Sequence, residues 1–426
     1  MAESPQPQIQ LISKTSLAQQ LVTLTLPRSV PHPLAPNTAR LRTRTLALTT
    51  NVLTYAKLGG IPSLGWWDVW PMPHPTSLPP PFDNEATLAG YCRVGAWGYS
   101  EVVESRVPGL EVGTWLFGYQ AIGTLAEIVE LEKGNVEGQS HWVEVSERRK
   151  GLNGIYNLYI ARERGEDREG RGWDALMEVL FGTAWLMNRF VFSWGEGVDA
   201  VHPLGIRELA WTEEDADLTD AVVVMLAASG KTGFCFAREL RERRPRGKQP
   251  FKVIAVGSER SREFTKGLGL FDEVLLYNDL EEKAFDLEAR LVCKQRKVVL
   301  MDFGARDDAV DRWAKALEGK CRRMQALVIG GDPMAEDQSK TARKTQDLTS
   351  NVAQVFAGGI RDRAMELVGA ARYFADQEAA WADFKADRGI QALTLKWGKG
   401  VDGFSNGWEA LVSGEYGPDT GLVYDI

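Results

Sequence analysis

Ala227-Ala228-Ser229-Gly230-Lys231-Thr232-Gly233 is the stretch whose residue types could bind a phosphate. Its side chains are small enough for a backbone to approach a pyrophosphate closely. A helix starting near Lys231 would aim its free N–H groups and positive dipole end at that anion. Alanine and serine stand where the G-x-G-x-x-G fingerprint puts glycines, and only Gly230 and Gly233 remain. Gly230-Lys231-Thr232 also ends like a triphosphate-binding P-loop. That motif needs a glycine five residues before Gly230, where Met225 stands.

A dinucleotide reader declares its preference at the end of the next strand, where NAD sites carry an acid for the ribose 2′-OH. Here the strand ends Val256-Gly257-Ser258-Glu259-Arg260-Ser261-Arg262. A small residue, a hydroxyl and two arginines can accept a 2′-phosphate. The cofactor expected is therefore NADPH (NADP), held by Ala228, Ser229, Gly230, Lys231, Thr232, Gly233, Gly257, Ser258 and Arg260. Two alternatives stay open. Glu259 is a competing ribose acid, and Arg260 with Arg262 could be the solvated first turn of the next helix.

These residues need elements to position them. Ala221–Leu226 is an apolar run, Phe234, Ala237 and Leu240 recur at helical spacing, and Val253–Val256 is a second run. Strand, tight turn, helix, strand is the first half of a doubly wound sheet. Lys297–Phe303 and Gln325–Ile329 read as later strands, with a helix over Asp307–Leu317 and an exposed loop over Asp332–Gln346. Upstream, Leu41–Leu53 alternates like a strand and runs on into Asn51–Ala56. Trp66, Trp67 and Trp70 sit in a proline-rich stretch that excludes a long helix, and pack in a core or wall a pocket. Tyr91–Val103, Pro108–Gly118 and Leu125–Leu131 read as short strands between glycine turns, which suggests a small barrel. Glu163–Arg171 reads as a charged surface loop, Trp173–Phe192 and Arg361–Asp387 as helices, and the end as a short helix (Phe404–Leu411) and a closing strand.

Composition bounds the reading. A chain of 426 residues accommodates two domains, and 44% hydrophobic with 25% charged residues is ordinary globular composition. The net charge of −8 argues against a general nucleic-acid binder. Cys92, Cys235, Cys293 and Cys321 are isolated, as expected of thiols in a reducing compartment. No cationic start with an apolar run and no membrane-length apolar window is present, so a cytoplasmic protein is expected.

Taken in order, these stretches resemble the medium-chain dehydrogenase/reductase superfamily. Pro108–Gly118 is similar to its barrel turn, with Thr114 where an Asp is usual. Ala227–Gly233 is similar to its pyrophosphate turn, Phe264–Asn278 to its "a..lGad.vi.y" segment ending at Tyr277, and Phe404–Val423 to its C-terminal segment. Asn51–Tyr55, Val94–Val102, Ser229–Thr232, Gly269–Val274 and Val355–Ala357 are similar to a group of fungal and bacterial proteins defined by a domain of unknown function. The resemblance implies a Rossmann-type doubly wound parallel sheet plus a GroES-like β-barrel. It implies a flexible segment (1–35), a barrel and substrate domain (36–190), a dinucleotide domain (191–360) and a C-terminal segment (361–426) returning to the barrel.

The resemblance also bears on chemistry. The four histidines (His32, His74, His141, His202) and scattered cysteines do not match the zinc branches, which points to the zinc-free quinone and enoyl reductases. Tyr55 falls where enoyl reductases carry a cleft tyrosine, and is the candidate proton donor; it could equally pack at a barrel rim. Asn51 could bind substrate or satisfy a turn. Tyr119 is a second candidate acid, and Tyr156–Tyr159 could line the cleft. Tyr277 joins the cofactor set. The function implied is NADPH-dependent reduction of an activated alkene or carbonyl in a small molecule, with a homodimer expected by analogy. The alternative is a non-redox protein on the same fold, a cyclase, isomerase or small-molecule binder, to which the lost glycines and Thr114 lend weight.

Overall fold

The fold is a computed structural model that describes residues 6–16, 21–27, 32–162, 167–195, 198–306, 308–330, 352–386 and 391–426. Six parallel strands form one sheet, in spatial order Glu273–Leu276, Lys252–Gly257, Val222–Leu226, Lys297–Phe303, Arg323–Gly330 and Val352–Gln354. Numbered along the chain, that order is 3-2-1-4-5-6, the dinucleotide-binding arrangement of a Rossmann-type sheet. Val222–Leu226 is buried at every residue because both faces are covered. Val222, Val224 and Leu226 meet Trp313 and Leu317, whereas Val223 and Met225 pack with Phe234, Phe236 and Phe181.

The second unit is an antiparallel barrel of GroES-like type. Thr38–Leu48 pairs with Gly95–Ser105 on one side and Glu127–Lys133 on the other, which closes the ring through Trp115–Ala121, Leu158–Arg162 and His141–Glu144. Thr420–Asp425 adds to the far half of Thr38–Leu48, and Thr394–Lys399 lies beside it in parallel. The chain end thus returns to the barrel. Its Val423, with Ala47 of the barrel, joins the same core as Val223 and Met225 of the parallel sheet.

Several expectations are corrected. The strand reading through Asn51 fails: the strand stops at Leu48, and Thr50–Leu58 is a helix. Val52, Leu53, Tyr55 and Ala56 are buried on one helical face, and the helix ends at Gly59, over which Trp67 packs. Tyr91–Val103 holds the short strand Tyr91–Cys92, but no glycine turn divides the strand that follows. Gly95–Ser105 is one strand, and Gly98 lies inside it because the Thr45 backbone passes too close for a side chain. Of the charged loop expected over Glu163–Arg171, residues 163–166 lie outside the described residues, and a helix begins at Arg168, capped by Asp167, which accepts from the Gly170 N–H at 2.6 Å. Within the segment expected to be flexible (1–35), the described residues include two paired strands, Gln8–Ser13 and Leu21–Thr25, with Ile9 and Leu11 fully buried. The helix expected over Arg361–Asp387 is two helices, Ala357–Val368 and Ala370–Ala386, broken at Gly369. The loop expected over Asp332–Gln346 lies outside the described residues.

Candidate functional site

Val222–Leu226 delivers the chain to the point where the sheet order reverses, beside Phe303-Gly304 and Ile329-Gly330. The turn begins at Ala227, which takes φ +53°, a left-handed conformation that costs an alanine about 1 kcal/mol. The missing glycine is therefore tolerated as strain, and the turn forms. Helix Lys231–Arg238 starts at Gly230 with no side-chain cap, so no capping side chain takes up its first N–H groups. Gly233 must be a glycine, since a Cβ there would stand 2.9 Å from the Ala228 carbonyl oxygen. Lys231 Nζ donates to the Thr420 carbonyl at 3.0 Å, and burial pulls its ammonium down to about 8. Met225 sits inside the strand, fully buried, with no phosphate loop before it.

Ser229, Gly230, Lys231, Thr232 and Gly233 line a cleft of about 670 Å³, a volume usual for ligand sites. Ser258, Arg260 and Tyr277 line the same cleft, at the end of the neighbouring strand. Ala228 and Gly257 support the turn and the strand end without being wall residues; Tyr277 N–H donates to the Gly257 carbonyl at 3.0 Å. Arg260 donates to the Gly414 carbonyl and, at 2.6 Å, to that of Glu415. Arg306, after Lys297–Phe303, lines the cleft near the same Gly414. It was missed because nothing in the sequence pairs it with Arg260. Glu259 instead holds Arg262 at 3.4 Å, and neither is a wall residue.

The far end of the cleft is aromatic. Asn51 and Tyr55 project from helix Thr50–Leu58 into the cleft wall beside Trp66, Trp97 and Tyr156. Trp97 Nε1 donates to Tyr55 Oη at 2.9 Å, and the Tyr55 ring meets Trp66, Tyr119 and Tyr156 edge-on. Burial pushes the Tyr55 phenol up to about 12, so it holds its proton at neutral pH. Tyr119 lies behind this wall, its oxygen accepting from the Gly95 N–H at 2.8 Å, and Tyr159 donates to the Tyr119 carbonyl. Trp70 is core, with the Arg149 guanidinium 4.4 Å from its ring centre, whereas Trp66 is both buried and cleft wall. Among the described residues no three His, Cys, Asp or Glu side chains cluster as a metal site would require.

The architecture is shared with solved enoyl reductases. CurK enoyl reductase superposes over 99% of both chains at 12% identity and a TM-score of 0.51. CurA of Vibrio vulnificus in complex with NADPH matches over 98% of both chains at 14% identity and 0.51. The mitochondrial 2-enoyl thioester reductase Etr1p/Etr2p heterodimer of Candida tropicalis matches over 99% of this chain and 100% of its own, at 13% identity and 0.54. At such identities the likeness is one of fold: a closed antiparallel barrel joined to a parallel sheet. None of the curated proteins matches the sequence. The family model described as "Protein of unknown function (DUF2855)" matches residues 46–417, and the chain belongs to that family.

Proposed function

We infer that the protein is an NADPH-dependent reductase of an activated alkene or carbonyl in a small molecule, working without zinc. One observation carries the reading. An uncapped helix N-terminus at the sheet's switch point and a buried, proton-retaining tyrosine open into the same cleft. The similar structures support it, since one holds NADPH and another holds NADP with crotonyl-CoA.

The residues fit a dinucleotide. The N–H groups of Lys231, Thr232 and Gly233 would bind the pyrophosphate, and Gly233 permits its approach. Ser258, Arg260 and Arg306 would hold a 2′-phosphate, and Tyr277 would border the adenosine end. NADPH, when bound, supplies the hydride. In an activated alkene that hydride would go to the β-carbon as the C=C π bond breaks, leaving the α-carbon to take a proton. Tyr55 donates that proton or hydrogen-bonds the developing enolate oxygen, and the Trp97 N–H stabilises the phenol oxygen as charge builds on it. Asn51 orients the substrate carbonyl, and the aromatic wall excludes water. Residues 36–190 with 361–426 form the substrate half and 191–360 the nucleotide half; a homodimer is the expected assembly.

A non-redox reading has one observation behind it. The two cations best placed for phosphates are engaged by backbone carbonyls of the 414–420 segment. Titration with NADPH and NADH, followed by tryptophan fluorescence, separates the two. The reductase reading expects NADPH to bind at least about tenfold tighter than NADH, an energy of about 1.4 kcal/mol. Arg260→Glu should abolish that preference. Binding of neither nucleotide would sink the reading and favour the reused cleft.

A further inference from the structure

A buried guanidinium with no ion-pair partner among the described residues marks a second cavity. Arg361 lies on helix Ala357–Val368 and is 6% exposed. Among the described residues no carboxylate pairs with it, and its Nη1 has no acceptor. Its cationic contact is the ring of Phe374, 5.4 Å away. Tyr373, fully buried, has a hydroxyl equally without a partner. Both line a cavity of about 70 Å³ between the barrel and the two helices, whose walls are mainly apolar (Phe117, Leu158 and Ile160 among them) but include Glu178 and Glu378. The cavity shares Trp97, Ile155, Val179, Thr183 and Ala357 with the main cleft, so it adjoins that cleft at its aromatic end.

A buried charge with no partner is costly, and a chain that keeps one has a use for it. Glu178 and Glu378 stand in the same wall and Asp362 adjoins Arg361 in the chain, and each has a partner of its own. Glu178 binds Arg162 at 2.6 Å, Glu378 accepts from Gln139 at 3.3 Å, and Asp362 accepts from Asn153 at 3.0 Å. His141 adds no positive charge: burial, then Arg361 and Arg162, push its imidazole down to about 4. The volume is about that of two waters, room for a carboxylate and little more.

We propose that this cavity receives a carboxylate of the substrate, held by the Arg361 guanidinium and the Tyr373 hydroxyl while the reacting bond lies near Tyr55. The substrate class is a small unsaturated acid: an enone or enal with a carboxylate at its far end. This rests on the reductase reading for its chemistry, though not for its binding. The test uses the full chain and a ladder of straight-chain enones ending in a carboxylate, acetylacrylate the shortest, each paired with its methyl ester. Tryptophan quenching without nucleotide reads binding, and NADPH oxidation reads turnover.

At least one acid should bind about tenfold or more tighter than its ester. Arg361→Met should bring that ratio to about one, Arg361→Lys should keep part of it, and Tyr373→Phe should lower it without unfolding risk from a lost charge. Equal binding of acid and ester throughout the ladder, or an acid preference that survives Arg361→Met, overturns the proposal. Acetate binding as tightly as every carboxylated enone also overturns it, since the cavity would then be a free-anion site. Acid preference in binding with no NADPH oxidation on any member supports the cavity assignment and sinks the reductase reading instead.

Discussion

At the level of single residues, the protons of Lys231 and Tyr55 decide the chemistry. Lys231 sits at the helix start with its ammonium lowered to about 8 by burial. A bound pyrophosphate favours the charged form, so NADPH binding should draw a proton onto Lys231 near and above pH 8. The expected result is an NADPH Kd that is flat below pH about 7.5 and rises about tenfold per pH unit above 8 until the bound-state pKa is passed. Isothermal titration in two buffers of different ionisation heat would report the proton uptake. Flat affinity to pH 9.5 would place Lys231 away from the phosphates. Tyr55 is the other proton. Tyr55→Phe should lower kcat by about 10²-fold with little change in NADPH affinity. It should also cost about 1–3 kcal/mol of stability, because the buried Trp97 N–H loses its acceptor. Unchanged kcat would leave Tyr55 as wall alone.

At the scale of elements, the turn between Val222–Leu226 and Lys231–Arg238 is the joint on which the site depends. The helix closes on the strand at Gly233, where the Ala228 backbone leaves no room for a methyl group. Gly233→Ala should push the helix start away and destabilise the fold by about 1–3 kcal/mol. It should also weaken NADPH binding far more than Gly230→Ala, whose Cβ would meet the Ala227 oxygen at 3.2 Å. A thermal melt and a nucleotide titration on both variants make the comparison; equal effects would deny the close approach its role. The 414–420 segment is the opposing element, holding Arg260 and Lys231 through carbonyls that a phosphate would have to outcompete.

At the scale of the molecule, the N-terminal hairpin is part of the folded body. Ile9, Leu11, Leu24 and Leu26 pack with Leu78, Phe82 and Leu88 in a core of their own, and Gln10 and Thr23 reach Ser405 of the C-terminal helix at 2.9 and 3.0 Å. Removing residues 1–27 uncovers that cluster and should lower the melting temperature by several degrees, with light scattering rising at lower temperature. An unchanged melt would show the hairpin to be dispensable.

The nucleotide half was legible in the sequence because its signals are local. Buried parallel strands are continuous apolar runs, and Val222–Leu226, Lys252–Gly257 and Lys297–Phe303 lie where such runs were read. The small-residue turn, the helix start at Lys231 and the closing strand are likewise short-range patterns. The family resemblance supplied the barrel as a type. Thr50–Leu58 was misread because a strand and a helix meet there within two residues and Tyr55 satisfies either period. Gly95 and Gly98 look like turn formers until the approach of another strand explains them. The hairpin's burial, the nearness of Arg306 to Arg260, and Arg361 beside Tyr373 depend on which distant segments the tertiary structure brings together. Sequence determined the elements that hydrogen-bond and pack over a few residues. The folded chain alone decided which charges and rings share a cavity, because burial and electrostatic contact act through space between residues hundreds of positions apart.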